Sequence, residues 1–315
     1  MSEPIKASII VSNYQGKQFL AKCLSRLSNQ TYRNYEILFF DAGSTDGSAE
    51  YVEENFPNIR TIRCGRIGIG EATNLGIKIA AGDIIIFDVN TDEYVESNWL
   101  EEIIGQLKRF DFNVITGTLR IINGTNLIDE AGVNITWFGR AKKIGHRKNI
   151  DQYEIPQKAV DFTGTPAFHR KLLKKIGPVD EAYFLYGEDR DFCYRAKLRG
   201  IKTYCATRAI SYHHIRGTTG KNSKKLEYFL RRAIIRFELI YASPLRLSLS
   251  LVYNCIFLPL TSLVLIIAYT KRSTQYRHKL VGRIDAIKWN LLNLQNTWHV
   301  RRTKMTIRQE PISYN

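Results

Sequence analysis

The sequence predicts an α/β fold: a mostly parallel central sheet flanked by helices, followed by a helical C-terminal segment suited to a membrane surface. Three observations predict it. Short apolar runs alternate with helix-like segments through the first 90 residues, several apolar runs end in acidic turns, and residues 247–270 form an uncharged apolar stretch inside a basic tail. Strands alternating with helices imply a doubly wound parallel sheet. Ligands of such sheets bind beyond the carboxyl ends of the strands. A chain of 315 residues is long enough for one large domain and an appendage.

Residues 7–11 read as a buried strand, and 19–29 as a helix carrying Phe19, Leu20, Cys23, Leu24 and Leu27 at helical spacing. A strand at 36–40, a helix at 48–55 ending near Pro57, a strand at 60–63, a helix at 70–80 and a strand at 84–87 complete the alternating part. An amphipathic helix at 98–109 and a strand at 114–122 follow. From 123 to 160 the pattern weakens around Trp137 and a basic cluster that includes Lys142, Lys143, His146 and Arg147. Long irregular stretches of this kind read as binding loops or lids. Helices at 170–176 and 190–199, short strands at 202–205 and 210–212, and a longer basic helix at 224–241 close the series. The expected division is a domain over 1–220 and a tail over 221–315.

The net charge of +16 belongs to that tail: residues 1–215 hold 28 Lys and Arg against 26 Asp and Glu, whereas 216–315 hold 18 against 4. No recognition-helix pattern accompanies the charge, so nucleic acid is not the expected partner. An apolar stretch flanked by Arg246 and by Lys271 and Arg272 points to anionic lipid. Its 24 residues could cross a bilayer, which needs about 20. However, Pro259 sits at the centre beside Asn254, Thr261 and Ser262, and a central proline breaks or kinks a helix. A crossing would also carry 271–315, with ten basic residues and two acids, away from the first domain, against the positive-inside tendency. The expectation is a broken helix pair that dips into one leaflet, with a single span as the alternative. Five scattered cysteines suit reduced thiols, and the N-terminus lacks the apolar core of a signal peptide. Together these place the chain on the cytoplasmic face of the cell membrane, peripheral or monotopic. Self-association is left open.

The chemistry lies where strands end. An apolar run through Phe40 delivers Asp41 into a turn whose Asp46 and Ser48 read equally well as turn and capping residues. A second run leads to Asp88-Val89-Asn90-Thr91-Asp92, a third segment to Glu188-Asp189-Arg190-Asp191, and a fourth to His213-His214. An unpaired acid ending a buried strand is costly, which favours a functional Asp41. With Asn13-Tyr14-Gln15-Gly16, Asn74-Leu75-Gly76, Gly132, Gly164 and Gly177-Pro178-Val179-Asp180-Glu181, these segments resemble the inverting glycosyltransferases of family 2, in their rhamnosyltransferase-like form, over residues 7–219.

The resemblance implies the Rossmann-like GT-A fold, with a nucleotide-binding half over 1–92 and an acceptor-binding half over 93–220. It implies a nucleotide-sugar site lined by Val11, Asn13, Tyr14, Asp41, Asn74 and Asn90, in which Asp41 accepts a hydrogen bond from the base. Asn90-Thr91-Asp92 takes the place of the family's Asp-X-Asp motif, so Asp92, Asn90 and His214 would hold Mg²⁺ or Mn²⁺ on the diphosphate. Asn90 departs from the simplest pattern, Asp88 is the acid able to compensate, and His213 is the rival of His214. Asp189 becomes the general base and Glu188 its orienting neighbour, while Asp191 pairs with Arg195 one helical turn on. Gly164, Trp137 and Tyr186 fall on the acceptor side, and Arg216 with residues 218–221 would close over the phosphates. The implied reaction moves a sugar from a UDP-, GDP- or dTDP-linked donor to a lipid-linked or polysaccharide acceptor. A catalytically silent, membrane-associated binding or scaffold protein of the same fold is the alternative. A sugar nucleotidyltransferase would need a glycine-rich loop after the first strand, and Ser12 to Gly16 does not supply one.

Overall fold

A computed structural model describes residues 5–137, 139–214, 224–269 and 273–306. The chain divides into two units, one comprising Met1–Asn134, Lys142–Phe184 and Glu188–Thr218, the other Ile135–Ala141, Leu185–Gly187 and Thr219–Asn315.

In the first unit, near-continuous apolar runs make strands buried on both faces, as a parallel sheet requires. Strands β1 (Ala7–Asn13), β2 (Tyr35–Asp41), β3 (Arg60–Arg63) and β4 (Ile84–Asn90) alternate with helices α1 (Lys17–Ser28), α2 (Ser48–Asn55) and α3 (Ile69–Ile79). These four strands pair in parallel in the order β3-β2-β1-β4. The chain continues through β5 (Glu93–Val95), α4 (Trp99–Arg109), β6 (Ile115–Ile122), β7 (Ile128–Glu130), the paired strands β8 (Val133–Ile135) and β9 (Ala141–Lys143), and β10 (Ala167–His169). A short helix α5 (Leu173–Ile176), α6 (Glu188–Leu198) and β11 (Thr203–His213) complete the unit. The sheet extends as β4-β10-β6-β11-β5, with β10 antiparallel to β4 and β6, and β11 parallel to β6. One core cluster, including Ile9, Leu24, Phe39, Ile86, Trp99 and Leu107, packs α1 and α4 against the sheet.

Three expectations change. The two short strands near 202–212 are one strand, β11, with an irregularity between Ala206 and Ile210. Residues 123–160 contain β7, β8 and β9. The strand at 84–87 runs on to Asn90 through a bulge: Ile86 faces Ile9 and Val89 faces Val11, so Phe87 and Asp88 stand opposite Ile10 alone. Asp88 takes the left-handed conformation there, φ 58°, a region that aspartate enters more readily than most residues. Bulges re-aim side chains, and this one re-aims a carboxylate.

In the second unit, α7 (Lys224–Tyr241), α8 (Pro244–Leu251), a π-helical turn (Val252–Phe257), α9 (Leu258–Ala268), α10 (Ser273–Leu292) and α11 (Leu294–Thr306) follow in order. Polar pairs set their directions. Arg246 with Glu238, and Arg231 with Asn254, run the second helical stretch antiparallel to α7. Arg283 with Glu227, Asn290 with the Arg232 carbonyl, Arg236 with Thr297, and Arg301 with the Leu239 carbonyl run α10 and α11 parallel to it. The expected broken pair is instead a continuous 25-residue helix, Pro244–Ala268. Proline lacks an N–H and crowds the carbonyl one turn back. The wide π turn just ahead of Pro259 absorbs both effects, and Arg283 donates to the Leu258 carbonyl and the Ser262 hydroxyl.

Candidate functional site

The parallel register brings Asn13 and Asp41 side by side at the carboxyl ends of β1 and β2. The Asn13 amide donates to Asp41 Oδ1 at 2.9 Å and to Ser44 Oγ at 3.2 Å, and its oxygen accepts from Thr91 Oγ1 at 3.3 Å. The other Asp41 oxygen accepts from the Ser44 N–H at 3.0 Å. One amide therefore ties the ends of β1, β2 and β4 together. Gly16 is obligatory beside it, because a Cβ there would lie 2.3 Å from Asn13 Oδ1 and 2.5 Å from Thr91 Oγ1. The next turn presents Tyr14, 40% exposed, with the Arg66 guanidinium 5.7 Å from its ring. A buried acid between two strand ends and an exposed aromatic ring suit a flat, hydrogen-bonding ligand.

Asp92 is buried one residue beyond the Thr91 contact. His213, the last residue of β11, lies with Nε2 3.9 Å from Asp92 Oδ1 and Nδ1 3.0 Å from Asp129 Oδ2. His214, the histidine expected at the metal, has its ring against Phe19 and Tyr94 and both ring nitrogens within 3.2 Å of the Asn123 amide. Its backbone N–H donates to the Asp92 carbonyl at 2.9 Å. Successive side chains at the end of a strand point to opposite faces, so the two adjacent imidazoles meet different neighbours.

Behind these residues lies a concentration of carboxylates around Arg120 of β6. Arg120 bonds Glu93 at 3.1 Å and the Thr165 hydroxyl at 2.9 Å. Burial opposes its charge, but Glu93, Glu130 and Asp88 together outweigh that. Gly164 makes room for it: a Cβ there would sit 2.1 Å from Arg120 Nη1. The bulged Asp88 is held well above the ordinary carboxyl range by burial and then by the Asp189 charge. Glu188 is raised likewise, by burial and then by Asp88 and Asp189. It is 2% exposed, and its Oε2 has no hydrogen-bond partner among the described residues. Asp189 rises from 3.8 to about 6, chiefly by burial, with the Arg190 N–H and guanidinium pulling the other way. Of the three, Asp189 alone keeps partial contact with solvent. Asp191 pairs with Arg195 Nε at 2.8 Å, as its spacing within α6 predicts.

Other candidates lie elsewhere. The Val11 side chain is in the core, leaving only its backbone for a ligand. Asn74 spends its amide on the neighbouring loop, bonding the Val179 carbonyl, the Val179 N–H and Glu181 at 2.8–3.0 Å. Gly164 is buried, giving its N–H to Glu130 Oε1 at 2.9 Å. Trp137, 56% exposed, and Tyr186 belong to the second unit. Asn90 ends β4, where its carbonyl meets Cys23 Sγ at 3.8 Å. Arg216 and residues 218–221 lie outside the described residues. Sequence reasoning missed Asp129, Glu93, Glu130 and Arg120; the polar Asp129-Glu130 pair in an otherwise weak segment was the available signal.

The profile of the family described as Glycosyl transferase family 2 matches residues 8–177. The chain is 33% identical over 121 residues to glycosyltransferase GlyG of Streptococcus pneumoniae, a match covering 37% of this chain and 39% of GlyG. It thus spans well under half of that relative. It is 26% identical over 243 residues to dolichyl N-acetyl-alpha-D-glucosaminyl phosphate 3-beta-D-2,3-diacetamido-2,3-dideoxy-beta-D-glucuronosyltransferase of Methanococcus voltae, covering 69% and 70% of the two chains. Among solved structures, the mannosyltransferase PcManGT of Pyrobaculum calidifontis, in complex with GDP-Man and Mn²⁺, superposes with a TM-score of 0.55 at 15% identity over 94% of this chain and 88% of that one. That likeness establishes the GT-A fold.

The raised Asp189 group makes a stability prediction. Below the ordinary carboxyl range both folded and unfolded chains hold the proton; as pH rises through about 6 the folded chain must ionise a desolvated acid. Asp189→Asn removes that cost and keeps the Arg190 contact. We expect it to stabilise the fold by about 3 kcal/mol near pH 8 and to leave it nearly unchanged near pH 4. Thermal melts at the two pH values check this; an equal gain at both contradicts it.

Proposed function

The chain belongs to glycosyl transferase family 2, and on that premise we propose that it is an inverting, nucleotide-sugar-dependent glycosyltransferase with Asp189 as its base. The observation that carries the reading is a partly exposed carboxylate at the start of α6, lifted to about 6 by burial and close enough to Asp88 of β4 to raise it, with β4 paired to the β1 strand of the Asn13–Asp41 pair. A general base works best when its pKa lies near the working pH. In the proposed step Asp189 takes the proton of an acceptor hydroxyl as the hydroxyl oxygen bonds to the anomeric carbon. The bond from that carbon to the nucleoside diphosphate breaks on the opposite side, and the diphosphate leaves with the electron pair, so the configuration inverts. Asn13 and Asp41 orient the base and ribose, and Tyr14 offers a face for stacking.

A divalent cation fits the residues present. Among the described residues no group of three His, Cys, Asp or Glu side chains forms a cage. Mg²⁺, however, commonly takes only one or two carboxylates from protein, with phosphate oxygens and water as the rest of its shell. Asp92 and an imidazole nitrogen 3.9 Å away supply such a partial set, and Asn90 at the end of β4 can add a carbonyl oxygen. When bound, the cation neutralises charge on the departing diphosphate.

The acceptor is proposed to be lipid-linked, which the Methanococcus relative's dolichyl substrate and the second unit both support. The Pro244–Ala268 helix turns Ser250, Asn254 and Ser262 inward, each 2% exposed or less, and turns Val252, Ile256, Leu260, Val264 and Ile267 outward, each 54–74% exposed. Such inverted amphipathicity suits lipid as the surrounding solvent. At 1.5 Å per residue the helix is about 37 Å long, enough to span. Yet α7 and α10, both rich in charge, flank it, which favours a monotopic seat at the cytoplasmic face over a crossing by this helix alone.

Purified chain given UDP-, GDP- and dTDP-sugars, Mg²⁺ or Mn²⁺ and a polyprenyl-linked glycan should release nucleoside diphosphate and form product with an acid limb near pH 6. Asp189→Asn should lower transfer by roughly 100- to 10,000-fold with donor binding retained; full turnover in that variant would remove Asp189 from the mechanism. On phosphatidylglycerol-containing liposomes the wild type should co-float, and the double variant Leu260→Asp, Val264→Asp should bind at least about tenfold more weakly. Equal flotation of both would refute the apolar seat.

A further inference from the structure

The network around Asp129 extends the metal reading above to residues that no motif assigns. Asp129 Oδ2 meets His213 Nδ1 at 3.0 Å, and Asp129 Oδ1 meets Lys143 Nζ at 2.7 Å. The His146 Nδ1 lies 2.9 Å from the Asp129 carbonyl. The Asp129 side chain is 1% exposed. A carboxylate paired with the Lys143 ammonium accepts hydrogen bonds, so the His213 Nδ1 that meets its other oxygen is the nitrogen that donates. In the neutral ring the lone pair then sits on Nε2, the nitrogen 3.9 Å from Asp92 Oδ1. That separation is too long for a hydrogen bond and can be spanned by one cation with ligands about 2.1 Å from it.

We propose that Asp129 is a positioning residue that fixes His213, and not His214, as the imidazole sharing the divalent cation with Asp92. The arrangement is a carboxylate–histidine–metal relay. Such outer partners orient the ring and raise its basicity. Lys143, at the end of β9, braces the far carboxylate oxygen, so the Asp129 side chain is gripped from both sides. The same geometry explains why a strand as short as β7 carries two acids: Asp129 holds the histidine, and Glu130 holds the Gly164 N–H and adds to the charge around Arg120.

The test reads cation binding rather than turnover. Mn²⁺ is titrated into detergent-solubilised full-length chain with and without UDP, GDP or dTDP, and free ion is followed by electron paramagnetic resonance. Wild type should bind Mn²⁺, His213→Phe should weaken it, and Asp129→Asn should weaken it roughly 10- to 100-fold. The double variant should be no weaker than His213→Phe alone, because Asp129 acts only through that ring. Additive losses, or a loss with His214→Phe and none with His213→Phe, overturn the assignment. If wild type binds no Mn²⁺ with any nucleotide, the metal reading itself falls and this one with it. An independent measurement needs no change at Asp129: long-range ¹H–¹⁵N correlation, with His213 assigned through His213→Gln, should place the proton on Nδ1. A proton on Nε2 alone would refute the relay even if Asp129→Asn failed to fold.

Discussion

The in-register ends of β1, β2 and β4 are the constraint on which the candidate site depends. Two parallel ladders set Asn13 opposite Asp41 and Ser12 opposite Asn90, and the Asn13 amide then bonds Asp41 and the Thr91 hydroxyl just beyond β4. A one-residue slip would turn every side chain of a strand to its other face, and it would separate Asp41 from Thr91 and Asp92. The buried runs Ile9 to Val11, Leu38 to Phe40 and Ile84 to Phe87 are therefore more than core. They set the register that lets polar chemistry converge just beyond them.

Charge is the second organising feature. The β4 bulge adds Asp88 to an interior that already holds Glu93, Glu130 and Glu188; Arg120 is shared by Asp88, Glu93 and Glu130, and Arg190 acts on Glu188. Burying so many carboxylates destabilises their ionised forms. The consequence also falls on Asp189, the half-buried member, which is lifted to about 6. With Asp189 as the proposed base, stability and function are opposed at this point of the fold, as is common where a reactive group needs a shifted pKa.

Much of this was legible in the sequence. The boundaries of α2, β3 and α7 match the apolar pattern and turn chemistry to the residue, and Asp41, Asp92 and Asp189 were recognisable as acids leaving strand or loop ends. What escaped depended on tertiary placement. The three-residue strands β5, β7 and β10 carry no periodicity to detect, and Asp88 was read only as the acid able to compensate for Asn90, because a bulge is visible only against the partner strand. The contacts that tie the Asn74 amide to Val179 and Glu181, more than 100 residues on, left no trace in the local sequence. Pro259 suggested a break, but a π turn accommodates it without ending the helix. Residues 135–141 were read with the first domain, whereas Gly139 packs on Glu238 and Arg140 meets the Tyr253 hydroxyl at 3.2 Å.

The central claim is that a nucleotide seats on the paired ends of β1 and β2. Isothermal titration of UDP, GDP and dTDP, each with Mn²⁺, into wild type and Asp41→Ala tests it most directly. The account predicts that one nucleotide binds the wild type and that the variant binds it at least about tenfold more weakly, the loss expected for a hydrogen bond to a charged group. Equal affinity in the two chains would contradict it.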